Sequence, residues 1–328
     1  MHLIELQKNI WVIQGGANIG VIAHEGHCLI IDSGMDKDTG QNILKQVKKL
    51  GLTPTALLIT HAHADHFGGA HYLVRQTGLQ VYATRVEASV MSGPILEPLY
   101  LFGGAIPPKE LQHKFFLAKP CKANVILEGN ELSVDQIPLE VIPLPGHSTE
   151  QVGLAYKDSL FVGDAFLTPE ILDKHHIPFY TDIQAGLKTL GFLKSLVTNQ
   201  EIPGPSPDAL ALSSGNMQHT KTTPSKLVVA GHGELYSSSE QVNRVIDYTV
   251  QRLIGILEQV RNSLDYGEPR STSDVLSSVA TIHGASITTL SQHALYNTTI
   301  QAALSALYSQ DVIQPVFKDN HLLWQRTQ

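Results

Sequence analysis

Short apolar runs separated by turn residues fill the first two thirds of the chain, and helical stripes fill the last third. Residues 10–13, 18–23 and 28–31 read as strands, the last two joined by a turn at His24-Glu25-Gly26-His27, which predicts an antiparallel meander entering a sheet. Across residues 36–50, Ile43, Leu44, Val47 and Leu50 recur at helical spacing with lysines opposite, the pattern of a surface helix with one face on a core. The run Leu57-Leu58-Ile59 reads as a buried strand, and Gly68-Gly69 lead into a helix through Ala70, Tyr72, Leu73 and Val74. Residues 79–83 predict a further strand and 86–91 the start of a short helix. Strands at 125–127, 132–134 and 139–142 are expected to build a second sheet layer, resumed at Val152-Gly153-Leu154. Residues 181–197 carry an apolar stripe behind a Thr181 or Asp182 cap, whereas 201–224 are rich in Pro, Gly, Ser and Thr and read as a loop with His219 exposed.

The texture changes at Ser238. Val242, Val245, Ile246, Val250, Leu253 and Ile256 keep one apolar face over about five turns, which predicts a long helix. Two shorter helices are expected near 272–281 and 286–308, the second broken around 294–299, and 312–324 read as a hairpin turning at Lys318-Asp319-Asn320. Helices followed by a terminal hairpin form a winged-helix pattern, so the expected division is 1–237 and 238–328. Residues 92–120 are irregular, with five prolines, Gly103-Gly104 and the aromatics Tyr100, Phe102, Phe115 and Phe116. Such a segment is either a lid over a site or an excursion whose aromatics pack on the core.

With 328 residues the chain can bury an ample core. Twenty-three basic against thirty acidic residues give a net charge of -7, which disfavours polyanionic partners, and residues 238–328 alone hold six Lys and Arg against eight Asp and Glu, the reverse of a nucleic-acid reader. Cys28 and Cys121 are too few for a disulfide framework and read as small packed side chains in a reducing, cytoplasmic setting. No amino-terminal export signal is visible and no apolar run approaches membrane-spanning length, so an unexported protein off the membrane is expected.

The candidate chemistry lies where strands stop. After Leu57-Leu58-Ile59-Thr60 come His61, His63, Asp65 and His66. Residues i and i+2 of an extended chain face the same side, so His61 and His63 can reach one metal while Asp65 and His66, past the bend, reach a neighbouring point. Imidazole and carboxylate without thiolate suit zinc, manganese or iron. Three later apolar runs end likewise, at Gly146-His147, at Gly163-Asp164 and at Gly231-His232, and loops at one end of the strands of a layered fold converge. Asp32 at another strand end either orients one of these histidines or opens a turn. His24 and His27 flank a turn and read as solvated, and Lys174-His175-His176 reads as a solvated loop, since the adjacent histidines there point apart.

These spaced pieces resemble the metallo-β-lactamase-fold hydrolase superfamily, over roughly residues 8 to 236. The resemblance implies an α+β fold, a four-layer αββα sandwich, here with the helical appendage. It implies two divalent metal ions, zinc first, with manganese or iron as alternatives: one held by His61, His63 and His147, a second by Asp65, His66 and His232, and Asp164 bridging both. β-Lactamases of the fold commonly carry cysteine or serine at the position of Asp164, and flavodiiron members carry a glutamate near that of His63 together with a flavin domain; this chain shows none of these.

The implied activity is that of a dinuclear hydrolase attacking a small ester, thioester or lactone with a metal-bridging hydroxide, Asp65 also moving a proton. Alternatives of the same fold are a phosphodiesterase or nuclease and a mononuclear iron dioxygenase of the persulfide type. A scaffold protein retaining a metal site without turnover is a third class. The expected partner is a small molecule rather than nucleic acid or membrane, and the appendage is compatible with a homo-oligomer.

Overall fold

In the computed structural model, which describes residues 1–198, 227–264 and 268–327, the apolar runs of the first third pair into a seven-stranded sheet in sequential order. Strands β1 (His2–Gln7), β2 (Ile10–Gln14), β3 (Ile19–His24) and β4 (His27–Ile31) form the antiparallel meander. Helix α1 (Lys37–Lys49), its N-terminus capped by the Asp36 carboxylate accepting from Thr39 N, crosses to β5 (Thr53–Leu58), which pairs parallel to β4. Two short helices, α2 (Ala64–Phe67) and α3 (Ala70–Thr77), lead to β6 (Gln80–Ala83), and α4 (Arg85–Ser92) and α5 (Leu96–Leu101) precede the edge strand β7 (Val125–Ile126).

The second sheet holds β8 (Glu131–Val134), β9 (Ile137–Pro143), β10 (Val152–Tyr156), β11 (Ser159–Phe161), β12 (Leu227–Val229) and β13 (Leu235–Tyr236), with α6 (Pro169–His175) and α7 (Ile183–Thr198) inserted after β11. Successive side chains of a strand point to opposite faces, and β5 shows the consequence. Ala56 and Leu58 enter the core between the two sheets, with Phe161 and Val229 from the other layer; Leu57 and Ile59 enter the outer core under Ile43, Val47 and Leu73. A strand buried on both faces has no polar alternation, which is why 57–59 read as a continuous apolar run.

The chain closes with α8 (Ser239–Asn262), α9 (Thr272–Ile282), α10 (Leu290–Ser309) and a hairpin, β14 (Ile313–Lys318) and β15 (His321–Arg326), turned by Asp319 and Asn320, both at positive φ. One apolar core is continuous across residue 237: Ile183, Leu190 and Leu193 of α7 pack with Ile246, Leu253 and Ile256 of α8 and with Ile300 and Leu304 of α10. Thus the outer face of the second sheet is covered by α7 and, through it, by the carboxy-terminal helices. The fold is an αββα sandwich with a helical carboxy-terminal region.

Three expectations need correction, and one strand went unread. Residues 125–126 belong to the first sheet, because they pair parallel with Tyr82 and Ala83, while Asn124 Oδ1 accepts from Val81 N. Strand β1, which the sequence reading passed over, forms by pairing with β2. The 174–176 stretch is solvated as read, with Lys174 and His175 exposed, but it ends α6 rather than forming a loop, with His176 closing the helix at positive φ. Helix α10 runs unbroken through 294–299, since the polar hydroxyls there are satisfied: Thr298 Oγ1 donates to Ala294 O at 3.0 Å and Thr299 Oγ1 to Pro178 O at 2.8 Å. The loop expected at 201–224, with His219, lies outside the described residues.

Candidate metal centre

The four strand ends meet. The segment from His61 to His66 follows β5 and enters α2, His147 follows β9, Asp164 follows β11 and His232 follows β12. Three groups of side-chain donors lie within 4.8 Å of one another: His61, His63 and His147; His61, His66 and Asp164; and Asp65, His66 and His232. All seven residues singled out in the sequence are therefore brought together, while His24, His27, His175 and His176 belong to none of these groups.

The imidazoles of His66, His147 and His232 are each aimed by a contact on the other edge of the ring. His66 Nδ1 lies 2.8 Å from Asp32 Oδ2, so the strand-end aspartate orients a histidine and does more than open a turn. Asp32 is itself tied down by Thr60, whose N–H and Oγ1 donate to its carboxylate at 2.8 and 2.9 Å. His147 Nδ1 donates to Phe179 O at 2.9 Å and His232 Nδ1 to Gly16 O at 2.6 Å. Gln151 Oε1 accepts from Asp164 N at 3.1 Å, and Asn18 Nδ2 donates to Ala230 O at 2.9 Å, fixing the strand end that carries His232. These supporting contacts are nonlocal, and only Asp32 was visible in the sequence.

The free edges point at one another. His63 Nδ1 and His147 Nε2 are 2.9 Å apart, His66 Nε2 and His232 Nε2 are 3.2 Å apart, and His232 Nε2 lies 3.3 Å from both Asp65 Oδ2 and Asp164 Oδ2. His61 Nε2 and Asp164 Oδ1 are buried with no hydrogen-bond partner, the latter 3.5 Å from His66 Nε2 without bonding geometry. Buried polar atoms are ordinarily paired. Lone pairs converging on shared points, with two left unpartnered, fit divalent cations held by nitrogen and oxygen donors. Gly231 keeps this space open, since a Cβ there would lie 2.0 Å from Asp164 Oδ1 and 2.8 Å from His66 Cε1.

The two ends of the cluster differ electrically. Burial lowers His61 and His147 below the usual imidazole range and takes His63 down to about 3, so this trio is neutral. Burial opposes charge on His66 and His232 as well, but Asp164 and the other nearby carboxylates outweigh it and push them up to about 10 and about 12. Asp65 and Asp164 fall well below the carboxylate range because His66 and His232 overcome their burial.

The cluster opens into a cleft of about 640 Å³ whose wall includes Leu167, Ile171, Ile177, Phe179 and, from α10, Leu295 and Tyr296. Lys174, His175 and Glu170 also line it. None of its lining residues comes from 92–120. That segment instead rests on α10, where Leu101, Leu111 and Phe116 bury against Ala294, while Phe102 and Phe115 stay exposed. The excursion reading of 92–120 thus describes three of its apolar side chains, and α6, the 177–179 turn and α10 supply the wall.

Comparison with known proteins agrees with this geometry. Among curated proteins, a probable metallo-hydrolase of Bacillus subtilis is 31% identical over 144 residues, 44% of this chain and 62% of that protein. A hydroxyacylglutathione hydrolase of Serratia proteamaculans is 27% identical over 173 residues, 51% of this chain and 52% of that protein. The chain therefore spans less than two thirds of the length of these relatives. Among solved structures, a beta-lactamase domain protein from Burkholderia ambifaria superposes with a TM-score of 0.68 at 17% identity, covering 99% of this chain and 93% of that one. A metallo-beta-lactamase family protein from Thermus thermophilus gives 0.67 at 15% identity, covering 98% and 100%. Both share the fold over nearly the whole chain. The model of the metallo-beta-lactamase superfamily matches residues 12–232, from the middle of β2 to His232, and the chain belongs to that superfamily.

Proposed function

We propose that this chain is a dinuclear metal-dependent hydrolase of small acyl compounds, thioesters first, then lactones and apolar esters. One observation carries the reading: Asp164 Oδ2 lies between the two donor sets, 3.5 Å from His147 Nε2 and 3.3 Å from His232 Nε2, at the floor of a cleft with mostly apolar walls. One ion would be held by His61, His63 and His147 and the other by Asp65, His66 and His232. Zinc suits these donors best, with manganese or iron as alternatives. When bound, such ions supply Lewis-acid polarisation of the acyl carbonyl and an acidified water.

The chain's own groups supply the rest. Leu167, Ile171 and Phe179 give the acyl group an apolar surface, worth roughly 25 cal/mol per Å² removed from water, and exclude bulk solvent from the reacting carbon. His147, held by Phe179 O, and His66, held by Asp32, keep the donor set from turning as substrate enters. Hydrolysis forms a C–O bond from water to the acyl carbon, breaks the C–S or C–O bond, and must return a proton to the departing atom. Asp65 lines the cleft beside His232, and this position puts it in reach of that proton, to take it up and pass it on.

Residues 1–237 read as the catalytic unit and 238–328 as a winged-helix-like appendage that lends Leu295 and Tyr296 to the cleft. The hydroxyacylglutathione hydrolases among the relatives favour a thioester, and the net charge of -7 disfavours polyanions. Two buried, unpaired cysteines suit a reducing cytoplasm, and among the described residues no helix is long and apolar enough to cross a membrane.

The test compares kcat/KM for a thioester, a lactone, an ester, a phosphodiester and a β-lactam on one metal-loaded preparation. The expected order places acyl substrates above phosphodiesters and leaves β-lactams near background. A phosphodiester preferred by tenfold, about 1.4 kcal/mol of transition-state stabilisation, would overturn the acyl reading. A single iron per chain with oxygen consumption on a persulfide would replace the hydrolase by an oxygenase.

A further inference from the structure

The carboxylate of Glu87 lies outside the donor set and is 3% exposed. Its Oε2 accepts from Ala62 N, the peptide between His61 and His63, at 2.7 Å. Its Oε1 accepts from Ser148 Oγ, next to His147, at 2.6 Å and from Glu150 N at 3.1 Å. The contact is reinforced from both sides: Glu150 Oε2 accepts from Val86 N at 2.8 Å, and Thr84 Oγ1 donates to Glu150 O at 3.0 Å. The first turn of α4 is thereby sewn to the loop that follows β9, and one side chain grips both segments that deliver the His61, His63 and His147 imidazoles.

The other donors are anchored elsewhere. His66 leans on Asp32, and His232 leans on Gly16 O in a loop held by Asn18. Loss of Glu87 should therefore not be felt equally. Without its carboxylate, Ala62 N and Ser148 Oγ lose their acceptor, and nothing else the structure shows ties the 61–63 turn to the 147–150 loop through those two donors.

We infer that Glu87 is a positioning residue that closes the His61, His63 and His147 trio and thereby sets metal affinity at that position, leaving the Asp65, His66 and His232 position to its own anchors. This rests on the dinuclear reading above, and it makes a selective claim that general destabilisation does not. A neutral amide in place of the carboxylate keeps the size but turns a donor toward at least one of the three N–H or O–H groups. Groups that orient metal ligands are typically worth 10- to 100-fold in affinity.

The experiment titrates full-length metal-free protein with Zn²⁺ against a chromophoric chelator, and with Co²⁺ to follow ligand-field bands, for wild type, Glu87→Gln and Ser148→Ala. Thermal midpoints of the metal-free forms are measured alongside. Expected for Glu87→Gln is one binding equivalent weakened by about 10- to 100-fold and the other changed by less than about threefold. Ser148→Ala, which removes one donor and keeps the carboxylate, should weaken the same equivalent by about three- to tenfold and stands in if Glu87→Gln does not fold. Two equivalents unchanged, or both weakened alike with a lower thermal midpoint, would overturn the inference. A wild-type chain that takes up a single equivalent counts against the dinuclear reading instead; loss of that equivalent in the variants would still assign it to the Glu87-held trio, and its retention would overturn the assignment.

Discussion

His66 faces Asp32 with one ring nitrogen and the metal cluster with the other: Nδ1 lies 2.8 Å from Asp32 Oδ2, and Nε2 lies 3.2 Å from His232 Nε2. The ring is fully buried, so its orientation depends on this one carboxylate. Asp32→Asn keeps the shape but removes the charge and one acceptor. A loss of about 10- to 100-fold in metal affinity at the Asp65, His66 and His232 position is expected, read by chelator competition. Unchanged affinity would mean that Asp32 only shapes the turn at its positive φ.

The unequal charge of the two ends predicts unequal pH dependence. In the metal-free chain, His66 and His232, raised to about 10 and about 12 by Asp164 and its neighbours against their burial, contribute stability that is complete below imidazole's ordinary 6.5 and is lost as pH rises through those values. A cation must displace these protons, so its affinity there should rise by up to tenfold per pH unit for each proton released. His61, His63 and His147 are already neutral, and uptake by that trio should stay flat from about pH 7 upward. His63→Ala removes the flat component. The wild-type chain should take up two metals and the variant one, with the remaining equivalent pH-dependent. A steep dependence confined to the trio would invert the assignment.

Gly231 tests how little room the cluster leaves. Alanine there would set a Cβ 2.0 Å from Asp164 Oδ1 and push the carboxylate out of place. Misplacement by about 1 Å in a reacting centre commonly costs about 100-fold, and Gly231→Ala should lose at least that in kcat/KM with weakened uptake of both metals. Retained activity would show that the strand end bearing His232 can retreat.

The appendage shares its core with the sandwich, since Ile183, Leu190 and Leu193 are buried with α8 and α10 side chains. A chain ending after Gly233 should expose this apolar face and be recovered mainly in the insoluble fraction, binding hydrophobic dyes where any remains in solution. A soluble truncation with a cooperative melt would show that residues 1–233 close their own core.

Local chemistry made much of this molecule readable from sequence. Apolar runs ending in His or Asp located the strand ends and all seven clustered donors, because an apolar strand and a ligand at its tip are written in adjacent residues. The same holds for the Asp182 cap, whose Oδ1 accepts from Ala185 N at 2.9 Å, and for the Asp319-Asn320 turn. Nonlocal pairing decided the rest. The sheet that takes β7 depends on Tyr82, the continuity of α10 depends on Pro178 O accepting from Thr299, and the cleft wall depends on where α6 and α10 pack. Glu87 reaches Ser148 across 61 residues and Asn18 reaches Ala230 across 212, and no periodicity in either segment marks a buried carboxylate or amide whose partner lies that far along the chain.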